Sequence, residues 1–255
     1  MIRRSRLLVT LALFLFIAPA LRAGNFTLVS PPHPPLLLEV YTSEGCSSCP
    51  PADLWLGELK AEPNLWTGFV PVTLHVDYWD SLGWKDTFGS RRTSVRQRQE
   101  AEAGKVYTPG FFLNGVEWRG FFKSQALPPQ DAPDLGELTV TEVNPLEFVI
   151  DFTPKGIEKG PLEANATLLG MDIAVDVTAG ENRGKNLKHD FVSLGLRTVP
   201  MSPSGGRFTA SIILANGTTI EPSRLAAAFW VTRPNSFVPL QSVGGYLPEK
   251  QADGR

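Results

Sequence analysis

Leu36-Leu37-Leu38-Glu39-Val40-Tyr41-Thr42-Ser43-Glu44-Gly45-Cys46-Ser47-Ser48-Cys49-Pro50-Pro51 places an apolar run, a Cys-x-x-Cys pair and a double proline in immediate succession. The run Leu36–Tyr41 has the character of a buried strand. The prolines fit only the first turn of a helix, where a missing N–H has no intrahelical partner to lose. Ala52, Trp55, Leu56 and Leu59 then recur at helical spacing and give Pro50–Lys60 one apolar face. Strand, dithiol and helix in this order form a setting for thiol redox chemistry. Cys46 and Cys49 are the two cysteines of the chain, so any disulfide within it joins them. A bridge closing so few residues adds little stability, which favours chemistry over stapling.

A cysteine at a helix N-terminus meets unpaired N–H groups and the positive end of the helix dipole, both of which favour thiolate. Cys46, on the strand side, is expected to be the exposed nucleophile, and Cys49 the more buried resolving thiol. Glu44 opposes thiolate formation if it points inward.

Outward from this segment, Phe69–Val76 reads as a strand buried on both faces. His75-Val76-Asp77-Tyr78-Trp79-Asp80 lies at its carboxyl end, where open, mostly parallel sheets bind ligands. Asp77 or Asp80 is a candidate proton acceptor for Cys49. Strand alternation would put His75, Asp77 and Trp79 on one face. His75 reads either as a hydrogen-bonded structural residue or, with Cys46 and Cys49, as a ligand of copper(I) or a similar soft ion. Trp79 and Trp84 read as core or as an apolar wall for substrate. Ser90–Ala103 is predicted to be a helix whose Arg91, Arg92, Arg96 and Arg98 form a solvated basic face. Thr108-Pro109 precedes a strand at Phe111–Asn114, and Asn114-Gly115 signals a hairpin into Val116–Arg119.

Residues 127–135, with Pro128, Pro129 and Pro133, read as a linker between residues 36–126 and residues 136–248. Beyond it, Leu138–Val143, Leu146–Phe152, Glu163–Leu169, Ile173–Thr178, Phe191–Thr198, Phe208–Leu214, Ala226–Thr232 and Val238–Val243 alternate with turn residues at sandwich-like spacing. Gly180-Glu181-Asn182 opens a polar loop running to His189. It reads as a turn with a satisfied carboxylate, as a contact with the thiol segment or, through Glu181, Asn182 and His189, as a metal-binding set.

At the other end, Arg3, Arg4 and Arg6 precede the apolar stretch Leu7–Ile17 and small residues up to Ala23, the pattern of a signal peptide over residues 1–23. Residues 24–35 form a proline-rich lead-in. Cleavage removes four arginines and no acid, leaving 20 basic against 26 acidic residues and moving the net charge from −2 to −6. That balance argues against nucleic acid as a partner. It leaves a periplasmic or secreted chain with no stable membrane insertion.

The run Tyr41–Asp53 resembles the signature of exported bacterial proteins in domain-of-unknown-function family 1223. So do His75-Val76-Asp77-Tyr78-Trp79-Asp80, Gly83-Trp84-Lys85-Asp86, Arg98-Gln99, Val106-Tyr107-Thr108-Pro109, Gly180–Lys185 and Leu187–Asp190. Gly110 departs from the glutamine expected there. The resemblance implies an α/β thioredoxin-like N-terminal domain, and the later pattern implies an all-β, sandwich-like C-terminal domain. In such a fold a cis Thr108–Pro109 bond abuts the dithiol, and the backbone before it pairs with an extended substrate.

The expected function is an exported thiol–disulfide oxidoreductase acting on a protein or small-molecule thiol or disulfide. It would use no cofactor beyond the Cys46–Cys49 pair itself. Cys46 attacks, a mixed disulfide forms and Cys49 resolves it. The rivals are the copper module and a binding protein whose disulfide is inert.

Overall fold

The computed structural model describes residues 26–156, 158 and 160–249. The signal-peptide reading and its cleavage site lie outside them. The strands of the first half are β1 (Thr27–Val29), β2 (Leu36–Thr42), β3 (Phe69–His75), β4 (Gly110–Leu113) and β5 (Val116–Glu117), with helices α1 (Pro50–Glu58) and α2 (Arg91–Glu100). The second half adds β6 (Gly136–Asn144), β7 (Glu147–Pro154), β8 (Glu163–Met171), β9 (Ile173–Asp176), β10 (Asn186–His189), β11 (Val192–Pro200), β12 (Ser202–Ser204), β13 (Arg207–Ile213), β14 (Arg224–Thr232) and β15 (Pro239–Tyr246).

These strands build an eight-stranded mixed sheet in the order β15-β14-β8-β11-β3-β2-β4-β5, a five-stranded sheet in the order β1-β6-β7-β13-β12, and a two-stranded ribbon of β9 and β10. The expected fold class is therefore corrected. Among the described residues fifteen strands stand against two α-helices, so the molecule is mostly β rather than an α/β thioredoxin-like domain followed by a sandwich. The physical reason is at β3. It pairs with β2 along its whole length and with β11 at Val192↔Thr73, which joins strands from both halves of the chain in one sheet. Thr73 secures the joint: its N–H donates to the Phe191 carbonyl at 2.8 Å and its hydroxyl to the Asp190 carbonyl at 2.9 Å.

β14 shows how one strand serves two cores. Ala226, Ala228 and Trp230 enter the apolar cluster that holds Leu37, Val40, Leu56 and Phe111. Ala227, Phe229 and Val231, on the opposite face, pack with Phe148, Ile150 and Phe152 of the five-stranded sheet. Alternation with period two sends neighbours to opposite faces, and both faces are covered here, so β14 reads as a continuous apolar run.

α2 begins one residue inside the predicted helix. The Ser90 hydroxyl caps it by accepting from the Thr93 N–H at 3.2 Å. Its basic face is not wholly solvated. Arg96 reaches inward, donating through Nε and Nη2 to Glu39 Oε1 at 2.9 and 2.6 Å, and lies 4.9 Å from the Phe237 ring centroid. Glu39 is a charged residue in the middle of a buried strand, and it requires that partner.

Candidate functional site

The loop between β2 and α1 carries the dithiol. Cys46 and Cys49 form a disulfide with their Cα atoms 5.5 Å apart, and Cys49 is the N-cap residue of α1. Gly45 lets the turn lie against the next segment: a Cβ there would sit 2.9 Å from Trp79 Cβ. Both cysteines are 0% exposed, whereas Ser47 and Ser48 are exposed. The expectation of an exposed Cys46 is thus corrected. The turn presents its two serines to solvent and turns both sulfurs inward.

The helix terminus also offers less than expected. Pro50 and Pro51 have no N–H, and the amides of Ala52 and Asp53 donate to the Cys49 carbonyl at 2.8 and 3.1 Å. Instead, the Ser48 hydroxyl lies 3.3 Å from Cys46 Sγ and donates to the Thr108 carbonyl at 3.3 Å. Cys46 Sγ itself is 3.7 Å from that carbonyl. The Thr108–Pro109 peptide is cis. Trp79 Nε1 donates to the Thr108 hydroxyl at 2.8 Å, and Gln97 Nε2 donates to the Tyr107 carbonyl at 2.7 Å. At Gly110 a Cβ would lie 2.9 Å from the Tyr107 carbonyl and 3.0 Å from Gln97 Nε2, so Gln97 occupies the space that a side chain at 110 would take.

Five buried ionisable residues gather behind the Cys46–Cys49 turn. Glu44 is fully buried; Trp84 Nε1 donates to its Oε2 at 2.7 Å. Trp84 is therefore tied to Glu44 rather than standing as a free apolar wall. His189, from β10, lies between two carboxylates, with Nε2 3.6 Å from Glu44 Oε1 and Nδ1 3.5 Å from Asp53 Oδ2. Both contacts are longer than a hydrogen bond, and these four atoms have no hydrogen-bond partner. They act as charge pairs. Burial pushes the imidazole down, but the two carboxylates outweigh it and raise its pKa to about 10. Asp53 Oδ1 accepts from the Thr42 hydroxyl at 3.1 Å.

His75 Nδ1 lies 2.8 Å from Asp86 Oδ2, and its ring meets His189 edge-on at 5.1 Å. Burial raises the Asp86 carboxyl, but His75 and the amides of Glu44 and Phe88 outweigh it and hold it below the usual carboxylate range. For the copper reading, both cysteine sulfurs are in the disulfide and His75 Nδ1 is engaged by Asp86. Among the described residues no group of three or more His, Cys, Asp or Glu could hold a metal ion.

Asp77 and Asp80 are engaged by partners other than the cysteines. β3 ends at His75, so the expected alternation stops there. Asp77 Oδ1 accepts from the Ser94 hydroxyl at 2.5 Å, and Asp80 Oδ1 accepts from the Asp86 N–H at 3.2 Å. Both carboxylates tie loops. Asp53, one helical turn beyond Cys49, is the carboxylate that follows the dithiol on its own helix face. Its i, i+4 spacing was available in the sequence.

The loop after β9 reaches the same turn from the second half of the chain. Asn182 is fully buried, and its Nδ2 donates to the carbonyls of Glu44 and Cys46 at 2.8 and 2.9 Å. Lys185 Nζ donates to Asn182 Oδ1 at 2.8 Å. Glu181 Oε2 accepts from the Ser47 N–H at 3.1 Å, and that hydrogen bonding lowers its pKa. The loop is both a turn with a satisfied carboxylate and a contact with the thiol segment.

The family described as "Protein of unknown function (DUF1223)" matches residues 37–232. The curated proteins contain no match. Among solved structures, a protein from Agrobacterium tumefaciens is similar at a TM-score of 0.53 and 23% identity, over 86% of this chain and 97% of its own. HBP35 of Porphyromonas gingivalis is similar at a TM-score of 0.59 and 14% identity, over 89% of this chain and 80% of its own. At these identities the likeness concerns the fold alone.

Proposed function

The chain belongs to the DUF1223 family of proteins of unknown function, and from that premise we propose that it is an exported thiol–disulfide oxidoreductase acting through Cys46 and Cys49. The observation that carries the reading is the disulfide's setting. It lies against the Thr108 carbonyl, on a turn backed by Glu44, Asp53 and His189. A short-loop staple contributes little and needs no buried carboxylates around it. Charges held out of water beside a dithiol are the means by which thiol chemistry is tuned.

In the reduced protein Cys46 loses its proton to solvent, and the thiolate attacks one sulfur of a substrate disulfide. The substrate S–S bond breaks, a mixed disulfide forms and the second substrate sulfur leaves as thiolate. Cys49 then loses its proton to solvent and attacks Cys46 Sγ. The mixed disulfide breaks, the Cys46–Cys49 bond forms and the first substrate sulfur leaves. Two electrons move from the dithiol to the substrate, and the two protons released by Cys46 and Cys49 are matched by two that the substrate thiolates take up from solvent. The reverse sequence oxidises a protein or small-molecule dithiol. Thr108, Pro109 and Trp79 border the approach to Cys46. Export follows from the charged and apolar pattern of residues 1–23, and an oxidising compartment keeps the bridge formed.

The test is the redox equilibrium of the pair in glutathione buffers, with the states trapped by alkylation. A potential above about −270 mV supports exchange chemistry. A pair still oxidised below about −300 mV is a structural disulfide, and the proposal fails.

A further inference from the structure

We infer that Ser48 is a catalytic residue of this site, its hydroxyl moving from the Thr108 carbonyl to the Cys46 sulfur when that sulfur becomes a thiolate. The inference rests on the oxidoreductase reading and assigns a role that reading leaves empty.

The geometry sets a choice. One hydroxyl has one proton to donate, and Ser48 Oγ has two acceptors at the same distance: the Thr108 carbonyl and Cys46 Sγ, each 3.3 Å away. In the disulfide, Cys46 Sγ carries no proton, so between these two atoms Ser48 is the donor. A neutral disulfide sulfur is a weak acceptor, and the carbonyl wins. In the reduced protein, Cys46 S–H releases its proton to solvent and the sulfur carries a full negative charge. A hydrogen bond to an ionised acceptor is about twice as strong as one between neutral groups, so the preference reverses.

The surroundings make this donor matter. The two positions after Cys49 are prolines with no N–H, and the next two amides are spent on the Cys49 carbonyl. Glu44, two residues before Cys46, is buried, and its negative charge opposes thiolate formation. The Ser48 hydroxyl is the side-chain donor that contacts Cys46 Sγ among the described residues.

The switch has a second consequence. In the oxidised protein Ser48 occupies one acceptor position of the Thr108 carbonyl. Once the hydroxyl turns to the thiolate, that position is open to a substrate N–H. Nucleophile activation and release of the Thr108 carbonyl are one event.

The experiment uses the mature chain in a Cys49→Ser background, which leaves Cys46 as the one thiol. Its thiolate is titrated by ultraviolet absorbance with Ser48, with Ser48→Ala and with Ser48→Thr. The expected result is about tenfold less thiolate for Ser48→Ala at pH values below its midpoint, with Ser48→Thr matching the parent. In the two-cysteine protein, an isotope-labelled Thr108 carbonyl shifts on reduction with Ser48 present and does not shift in Ser48→Ala. A Ser48→Ala titration that overlays the parent overturns the inference. If the parent midpoint is depressed and only the Ser48 effect is missing, the oxidoreductase reading stands without this residue. If the parent titrates at the ordinary thiol value of about 8.5 and the native pair stays oxidised below about −300 mV, both fall.

Discussion

Replacing His189 by glutamine removes the cation held between Glu44 and Asp53 and leaves a side chain of similar reach. The ring is 1% exposed, so water does not take over its role. In the folded protein its pKa is raised from 6.5 to about 10. A raised histidine stabilises the fold fully below the unfolded value and loses that contribution as pH rises through the folded value. The window is therefore pH 6.5 to about 10. A gap of that width at 1.36 kcal/mol per pKa unit sets a ceiling of about 5 kcal/mol. Independently, removing one partner of a buried ion pair costs about 3–5 kcal/mol. Chemical unfolding of the oxidised protein at pH 6, 8 and 10 is expected to show wild-type stability falling across the window. His189→Gln should be about 3–5 kcal/mol weaker at pH 6 and should lose the part of the pH slope that His189 contributes, keeping the part due to Glu100. A loss below about 1 kcal/mol at pH 6, or a variant with the wild-type pH slope, refutes the argument.

Two further outcomes are expected. Asn182→Ala leaves the buried Glu44 and Cys46 carbonyls without their shared donor; stability should drop by about 1–3 kcal/mol in denaturant melts, and dithiothreitol should reduce the disulfide faster in an alkylation-quench time course. Glu100 is half-buried, and desolvation followed by the neighbouring charge of Glu39 raises its pKa to about 9; because its folded value lies above the unfolded one, stability falls between about pH 4.5 and 9, so Glu100→Gln should stabilise the protein by about 1–2 kcal/mol at pH 8 and by little at pH 4.

Much of the local structure was legible because short-range patterns decide it. The double proline and the apolar spacing after Cys49 fixed where α1 begins, and the polar stretch from Ser90 marked α2 to within a residue of its start. All eight stretches read as strands beyond residue 136 overlap one. What was not legible is which edges meet. The apolar run of β3 said that both faces are covered, and nothing in it said that β11 lies along its second edge. The same limit hid the site's charge set. Asp53 could be read from its spacing to Cys49, but the insertion of His189 between Glu44 and Asp53 depends on a ribbon far along the chain. Asp77 and Asp80 attracted attention by their place after a strand, and the strand's end at His75 carried them into loop contacts instead.

The double duty of β14 bears on how the molecule comes apart. A wall shared by two rooms cannot be taken down for one of them. Unfolding of the helical half strips Ala226, Ala228 and Trp230 of cover while their neighbours still face the five-stranded sheet, so neither half has a cheap partial opening. Loss of structure is then all-or-none, and a piece ending near residue 130 would carry an exposed apolar strand edge at β3. The disulfide sits inside that single cooperative unit. Any partner that needs its sulfurs must work through local movement of the Ser47–Ser48 turn, because no larger door opens at modest cost.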